Sequence, residues 1–402
     1  MHTEQRLHAL DAVRAFALLS GIALHATMSF MPGLAAVGFP ADSSQSPALQ
    51  IVFYVIHAFR MSLFFTLAGY FAHLMFHRKG TSGFIRDRAK RILVPLVVGW
   101  VVFGPLAMAL VYVALGPPLK EAPPALSGFP LAHLWFLYYL LLLYGATLAL
   151  RSGFTRFIDR HGTQRARIDR WVRAAVSGHA APALLAAPTA VCLYFTPTWV
   201  LWGGIASPDT GFTPQLPAII GFGTAFAFGW LLHRQSELVS TWRQRWAMHL
   251  ALAAVFTAVS LLTVESASAP LAAALRLAYA VCYSLAMWHW IFGLIGTALR
   301  FCSGESPLRR YIADSSYWLY LAHLPVVFAL QLTVRTWPLH WSVKFPFIVS
   351  LAVALLLVTY HYCVRGTYVG EILNGRRYVP ARSTTSSPTL YAREPEPTGA
   401  AE

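Results

Sequence analysis

The sequence predicts an all-α, polytopic membrane protein with about ten transmembrane helices and both termini in the cytoplasm (N-in/C-in). Three observations predict it. Hydrophobic residues make up 57% of 402 positions and charged residues only 12%, too few polar groups to cover a water-facing surface. Apolar runs of spanning length recur to about residue 364. The basic residues then fall between alternate pairs of those runs, as positive cytoplasmic loops require.

The runs lie near 10–31, 49–76, 92–115, 131–150, 180–199, 216–233, 246–264, 272–298, 316–334 and 345–364. With a cytoplasmic N-terminus, 25 of the 31 Lys and Arg residues sit in inner segments. Only Lys120, Arg335 and Lys344 fall outside, and Arg14, Arg60 and Arg276 fall within helices. An odd helix count would scramble this asymmetry. The net charge of +15 therefore reads as topology, with the lipid bilayer as a partner and no nucleic acid.

The runs form one continuous bundle, a transmembrane domain over 1–379. From 380 to 402 the composition turns to Ser, Thr, Pro, Glu and Ala without periodicity, which predicts a disordered cytoplasmic tail. The outer connections Met31 to Pro47 and Gly116 to Pro130 are short, rich in Pro and Gly and nearly uncharged, as turns are. The inner stretch Arg151 to Gly178 carries seven arginines against Asp159 and Asp169, with Trp171 placed to anchor it at the headgroups. An interfacial helix is expected there, with charge serving topology alone as the favoured account of its arginines. The first run is too long for a cleaved signal peptide and opens on Asp11 and Arg14, so it is read as helix one. Cys192, Cys282, Cys302 and Cys363 show no CxxC spacing, and neither a disulfide framework nor a metal site is predicted.

Ionisable groups inside spanning helices are costly and mark function. On helix one, Arg14 and His25 are eleven residues apart, close to three turns, so they share a face about 16 Å apart. Helix two carries His57 and Arg60 at i and i+3, on one face, at a depth similar to His25. The alternative for each residue alone is a satisfied core side chain, but their convergence at one depth predicts a cavity. The small pair within Phe64-Phe65-Thr66-Leu67-Ala68-Gly69-Tyr70 permits close helix approach. Arg88 and Arg91 at a helix start present two planar forks suited to phosphate or carboxylate, or else a solvated charge cluster. His323 is expected in the inner half of its helix, two residues before Pro325, which frees a backbone carbonyl. His133 and Trp135 are expected at the outer edge of helix four as an interfacial belt, and His289 as packing.

Together these stretches resemble the membrane acyltransferase-3 family over roughly residues 6 to 365. The matching features are Asp11-x-x-Arg14, the ten-residue gap from Arg14 to His25, Phe64-Phe65-x-x-x-Gly69-Tyr70, Arg88-x-x-Arg91, His133-Leu134-Trp135-Phe136-Leu137 and Ser316-Tyr317-Trp318-x-Tyr320-x-x-His323. Within the family, Ile56-His57-Ala58-Phe59-Arg60-Met61 running into Phe64-Phe65 is most similar to the glucans biosynthesis protein C branch. Ala68 departs from the family pattern, which has Ser before Gly-Tyr.

The resemblance implies an integral O-acyltransferase of the plasma (inner) membrane that moves an acyl group, expected to be succinyl, from cytosolic acyl-CoA to hydroxyls of a periplasmic glucan. It implies no permanently bound cofactor, with succinyl-CoA or acetyl-CoA as co-substrate. Arg88 and Arg91 are then the acyl-CoA-binding pair, His25 the base or acyl carrier, Arg14 and Asp11 its catalytic partners, and His57, Arg60 and His323 the acceptor or acyl pocket. Alternatives are O-acetyl transfer to another exported glycan such as lipopolysaccharide, and a non-enzymatic transporter.

Overall fold

Backbone amides inside hydrocarbon must find partners within the chain, and most of the described residues meet this with helix. The structure, a computed structural model, describes residues 3–33, 40–115, 131–178, 180–208, 211–265, 272–375 and 378. Twelve helices are described: α1 Thr3–Thr27, α2 Pro47–Arg88, α3 Val94–Leu115, α4 Trp135–Gly153, α5 Thr163–Ser177, α6 Ala181–Tyr194, α7 Leu216–His233, α8 Val239–Glu265, α9 Ala273–Phe301, α10 Pro307–Val334, α11 Trp341–Thr359 and α12 Tyr368–Asn374. No strand occurs among the described residues. The predicted tail, 380–402, lies outside them.

Eight described helical stretches are long and apolar enough to cross a membrane, and the chain is a multi-pass membrane protein. Each of the ten predicted runs overlaps a described helix. Two of them, 49–76 and 92–115, belong to one 64-residue stretch, Pro47–Leu110. The run at 180–199 is corrected to a shorter apolar helix, α6, of 14 residues. Beyond the predicted run 49–76, α2 continues to Arg88, bent at Gly80, whose φ of 66° favours a residue without Cβ. A π-helical turn, Ala89–Leu93, then joins α2 to α3. The basic stretch after α4 forms α5, with Trp171 73% exposed.

Helix α1 packs on α10 and α2, α2 on α7, and α8 on α9. The α2–α7 crossing explains the small pair predicted on α2. A Cβ on Gly69 would meet the Phe226 carbonyl oxygen, and one on Gly229 would meet the Thr66 carbonyl oxygen. The two glycines thus let two backbones touch, a small-residue crossing. At the end of the bundle where α1 finishes, Lys344 bonds both oxygens of Asp42 at 2.9 Å. Both side chains are buried, and the Ser44 amide also donates to Asp42. This pair ties the segment after α1 to α11, where an uncompensated charge would cost several kcal/mol.

Because the obstacle at the crossing is backbone, Gly69→Ala or Gly229→Ala is expected to lower the melting temperature of the detergent-solubilised protein by about 5 °C or more. Gly145→Ala, with open space around its Cβ position, leaves it unchanged. Equal melting curves for all three would refute the contact.

Candidate active site

A cavity of about 590 Å³ runs beside α1. On α1 its lining extends from Arg14 to His25, about 16 Å of helix, and Met28 in the turn that follows also lines it. Around it stand Phe53, His57, Arg60 and Phe64 of α2, Arg91 and Ile92 of the π-turn, His133 and Trp135 at the start of α4, and Asp314, Tyr317, Tyr320 and His323 of α10. Most of the remaining wall is apolar, so the few polar groups operate in a poorly solvated space.

At one end of the cavity, where α1 begins, lie Arg14, Arg91, Asp314 and Asn374. Arg14 donates to the Ala313 carbonyl at 2.9 Å and sits 3.3 Å from Asp11, while its Nε has no hydrogen-bond partner. Arg91 donates to the Leu373 carbonyl at 3.0 Å, and its own carbonyl accepts from Tyr317 at 2.5 Å. These bonds bring α12 under the mouth. The predicted arginine pair is therefore split. Arg88 is held in an ion pair by Asp87, packs over Phe84 and Tyr144 at 5.5 and 5.6 Å, and does not line the cavity. Arg91 does. Three residues on a helix that widens into a π-turn no longer share a face.

About 16 Å further along α1 lies a group of imidazoles. The His25 and His323 ring centroids are 5.1 Å apart, and those of His323 and His133 are 5.2 Å apart. His57 stacks on Phe53 at 5.4 Å. Gln331 donates to the His25 carbonyl at 2.9 Å and pins that turn of α1 to α10. Two expectations are corrected here. His323 is level with His25 rather than nearer the inner end, because α10 begins at Pro307, before the expected start at 316. His133 and Trp135 are not belt residues. Both are buried, Trp135 stacking on Phe222 at 5.3 Å and His133 donating from Nε2 to the Leu321 carbonyl at 2.9 Å. That carbonyl is the one Pro325, four residues on, cannot bond. The freed carbonyl was foreseen in the sequence; its partner was not. His289, expected as packing, lies away from the cavity, 3.0 Å from His249.

Arg60 enters from α2 between these rings. Its guanidinium lies against α1 at Gly21, where any Cβ would collide with it. Gly21 is one turn before His25, which sets the cation beside the imidazoles. Among the described residues no carboxylate lies within ion-pair distance of Arg60, and its Nε is enclosed without a partner. A half-buried cation of this kind, open to the cavity, is costly unless an anion meets it. Sequence reasoning located Arg60 but missed Gly21 and His133, the first because a glycine in a helix gives no hint of what lies over it.

One cavity thus brings Arg14 and Arg91 at one end together with Arg60 and the imidazoles of His25, His57, His133 and His323 further in. A family model described as an acyltransferase domain, that of the acyltransferase-3 family, matches residues 7–361, and the chain belongs to that family of membrane acyltransferases. Over 174 residues it is 28% identical to glucans biosynthesis protein C of Salmonella paratyphi B, Salmonella heidelberg and Salmonella enteritidis PT4, in each case 40% of this chain and 42% of the relative. The match thus spans less than half the length of these curated relatives. No solved structure matches.

Since only Gly permits the guanidinium's seat, Gly21→Ala is expected to displace Arg60 and reduce acyl transfer as Arg60→Gln does, without a large loss of thermal stability. Activity and melting temperature measured together check this. Wild-type activity in Gly21→Ala would place the working position of Arg60 elsewhere.

Proposed function

We propose that the protein moves an acyl group, succinyl in the first instance, from cytosolic acyl-CoA to a hydroxyl of an exported glucan. The observation that carries this reading is the cavity joining the Arg14 and Arg91 end to the imidazoles and to Arg60, which has no carboxylate within ion-pair distance among the described residues. The end where α1 begins then faces the cytosol, in keeping with the basic segments of the sequence, and both termini lie on that side of the inner membrane.

Arg14 and Arg91 receive the phosphates of the coenzyme, with Arg88 and Asp87 beside them as a paired charge. The pantetheine arm follows α1 inward, a path of about 16 Å from Arg14 to His25, while the nucleotide stays at the aqueous mouth. His25 takes the proton of the acceptor hydroxyl as its oxygen attacks the thioester carbon. The tetrahedral adduct collapses with cleavage of the C–S bond, and the thiolate recovers the proton. Holding both substrates at one nitrogen supplies the orientation that a free encounter lacks. The Arg60 cation suits the second carboxylate of a succinyl group, and His57 forms the wall beside it. Acetyl transfer to another exported glycan uses the same residues but leaves Arg60 without an anion. The glucan acceptor is supported by the printed name of the relatives.

Mass spectrometry of exported glycans from cells carrying each variant tests the reading. His25→Ala, present at wild-type abundance, is expected to abolish acylation; unchanged acylation would remove His25 as the base. Arg60→Gln is expected to reduce succinyl transfer about tenfold or more relative to acetyl transfer, a charged hydrogen bond being worth about 1.5–3 kcal/mol. Equal reduction of both would remove the carboxylate role.

A further inference from the structure

At the end of the bundle where α1 begins, α2, α4, α5 and α7 bring together a second group of basic side chains, none of which lines the cavity. Three imidazoles form a chain there. His77 Nε2 lies 3.2 Å from His73 Nε2, and His73 Nδ1 lies 2.8 Å from His233 Nδ1. His73 thus uses both ring nitrogens inside the chain, one as donor and one as acceptor, because a neutral imidazole carries a single hydrogen. The hydrogens can run in either direction. In one, His77 donates inward from Nε2 and turns a lone pair outward at Nδ1; in the other, His77 accepts at Nε2 and presents an Nδ1 hydrogen to the surface. His73 is buried and His77 exposed, so the His77 end of the chain is the one a ligand reaches.

Arg151, in the last turn of α4, stands beside that end. Its guanidinium lies over the Phe76 ring, 4.7 Å from the centroid, one residue before His77, and the charges of Arg165 and Arg234 bear on it. The two carboxylates of the basic stretch 151–178 are engaged elsewhere: Asp159 pairs with Arg165 at 2.6 Å and Asp169 with Arg234 at 2.5 Å. Those pairs cancel, which leaves the Arg151 charge in excess. Among the described residues no carboxylate lies within ion-pair distance of it. The side chains that flank Arg151 on this surface are apolar. Leu150, Phe157 and Ile158 are 74%, 71% and 65% exposed. A planar cation beside exposed apolar groups at the end of a spanning helix fits an amphiphile, whose phosphate meets the fork while its chains cover the apolar surface; a free ion would leave that surface bare.

We propose that this junction binds the phosphate headgroup of an anionic phospholipid in the adjoining leaflet: Arg151 takes the phosphate through its planar fork, His77 donates to it from Nδ1, and the lipid's chains lie along Leu150, Phe157 and Ile158. Binding selects the second direction of the imidazole chain. As His77 turns its hydrogen to the phosphate, His73 donates to His77 and His233 donates to His73. The site gains a donor without taking up a proton. A lipid seated here ties α4 to the pair α2 and α7, so occupancy adds to the stability of the bundle. The site stands apart from the acyl-transfer reading and holds whichever acyl group the protein moves.

Melting temperature in nanodiscs tests this, together with native mass spectrometry of the lipids the protein retains. Nanodiscs of phosphatidylcholine alone are compared with nanodiscs in which phosphatidylglycerol replaces part of it, for wild type, Arg151→Gln, His77→Ala and Arg300→Gln. Arg300 is exposed at the end of α9 and serves as a basic residue outside the junction. Wild type and Arg300→Gln are expected to melt about 3 °C or more higher with phosphatidylglycerol. Arg151→Gln is expected to melt as wild type does in neutral nanodiscs, to lose the rise, and to retain about fivefold less phosphatidylglycerol, the weight of one basic side chain at a charged surface. His77→Ala, a change at an exposed position, is expected to show a smaller rise than wild type. No rise in wild type, an equal rise in Arg151→Gln or an undiminished rise in His77→Ala overturns the site. Inorganic phosphate that stabilises the protein in neutral nanodiscs as much as phosphatidylglycerol does overturns the lipid as its ligand.

Discussion

Arg60 is a cation enclosed in a membrane helix bundle with no described carboxylate to balance it, and much of the surrounding structure follows from accommodating it. A guanidinium in such a place is tolerated only if something anionic arrives or if neighbouring groups do not add to its charge. Gly21 clears its seat on α1. The rings around it present lone pairs: His323 and His133 have each given an N–H to a backbone carbonyl.

The backbone does much of this preparation. A proline in α10 removes one amide, the vacated carbonyl captures His133 from the start of α4, and the Tyr320 hydroxyl returns to the His133 carbonyl at 2.6 Å. Gln331, two turns beyond His323, secures the carbonyl of His25. Helices α1, α4 and α10 are thus joined by hydrogen bonds at the level of the imidazoles, while α2 brings Arg60 on a helix fixed by the backbone contact between Gly69 and Gly229. Rigid support of this kind is what a site must have if it is to act through orientation rather than through charge alone.

Much of this was legible in the sequence because hydrocarbon simplifies the code. Helices were visible as apolar runs, and helical periodicity brought Arg14, His25, His57 and Arg60 to one cavity before any coordinates. What periodicity does not carry is where a helix starts. The expected depth of His323 is too far inward because residues 307–315, with Arg309, Arg310 and Asp314 among them, extend α10 beyond its apolar run. His133 was read as a belt residue since an aromatic stretch at a helix end has the same pattern whether it faces headgroups or another helix. The separation of Arg88 from Arg91 depended on a π-turn, which leaves no mark in residue spacing. Contacts between distant segments, such as Arg60 on Gly21 or His133 on Leu321, belong to the fold alone.

The central claim is that an acyl donor enters beside Arg14 and Arg91 and presents its thioester to His25 along α1. A structure of the protein with a non-hydrolysable thioether analogue of succinyl-CoA tests it most directly, through the distance from the analogue's sulfur to the His25 ring. The account predicts phosphates on Arg14 and Arg91 and the sulfur within about 4 Å of the imidazole, near reacting distance. An analogue seated with its sulfur on the far side of α1 from His25, or with its phosphates at the opposite end of the bundle, would contradict it.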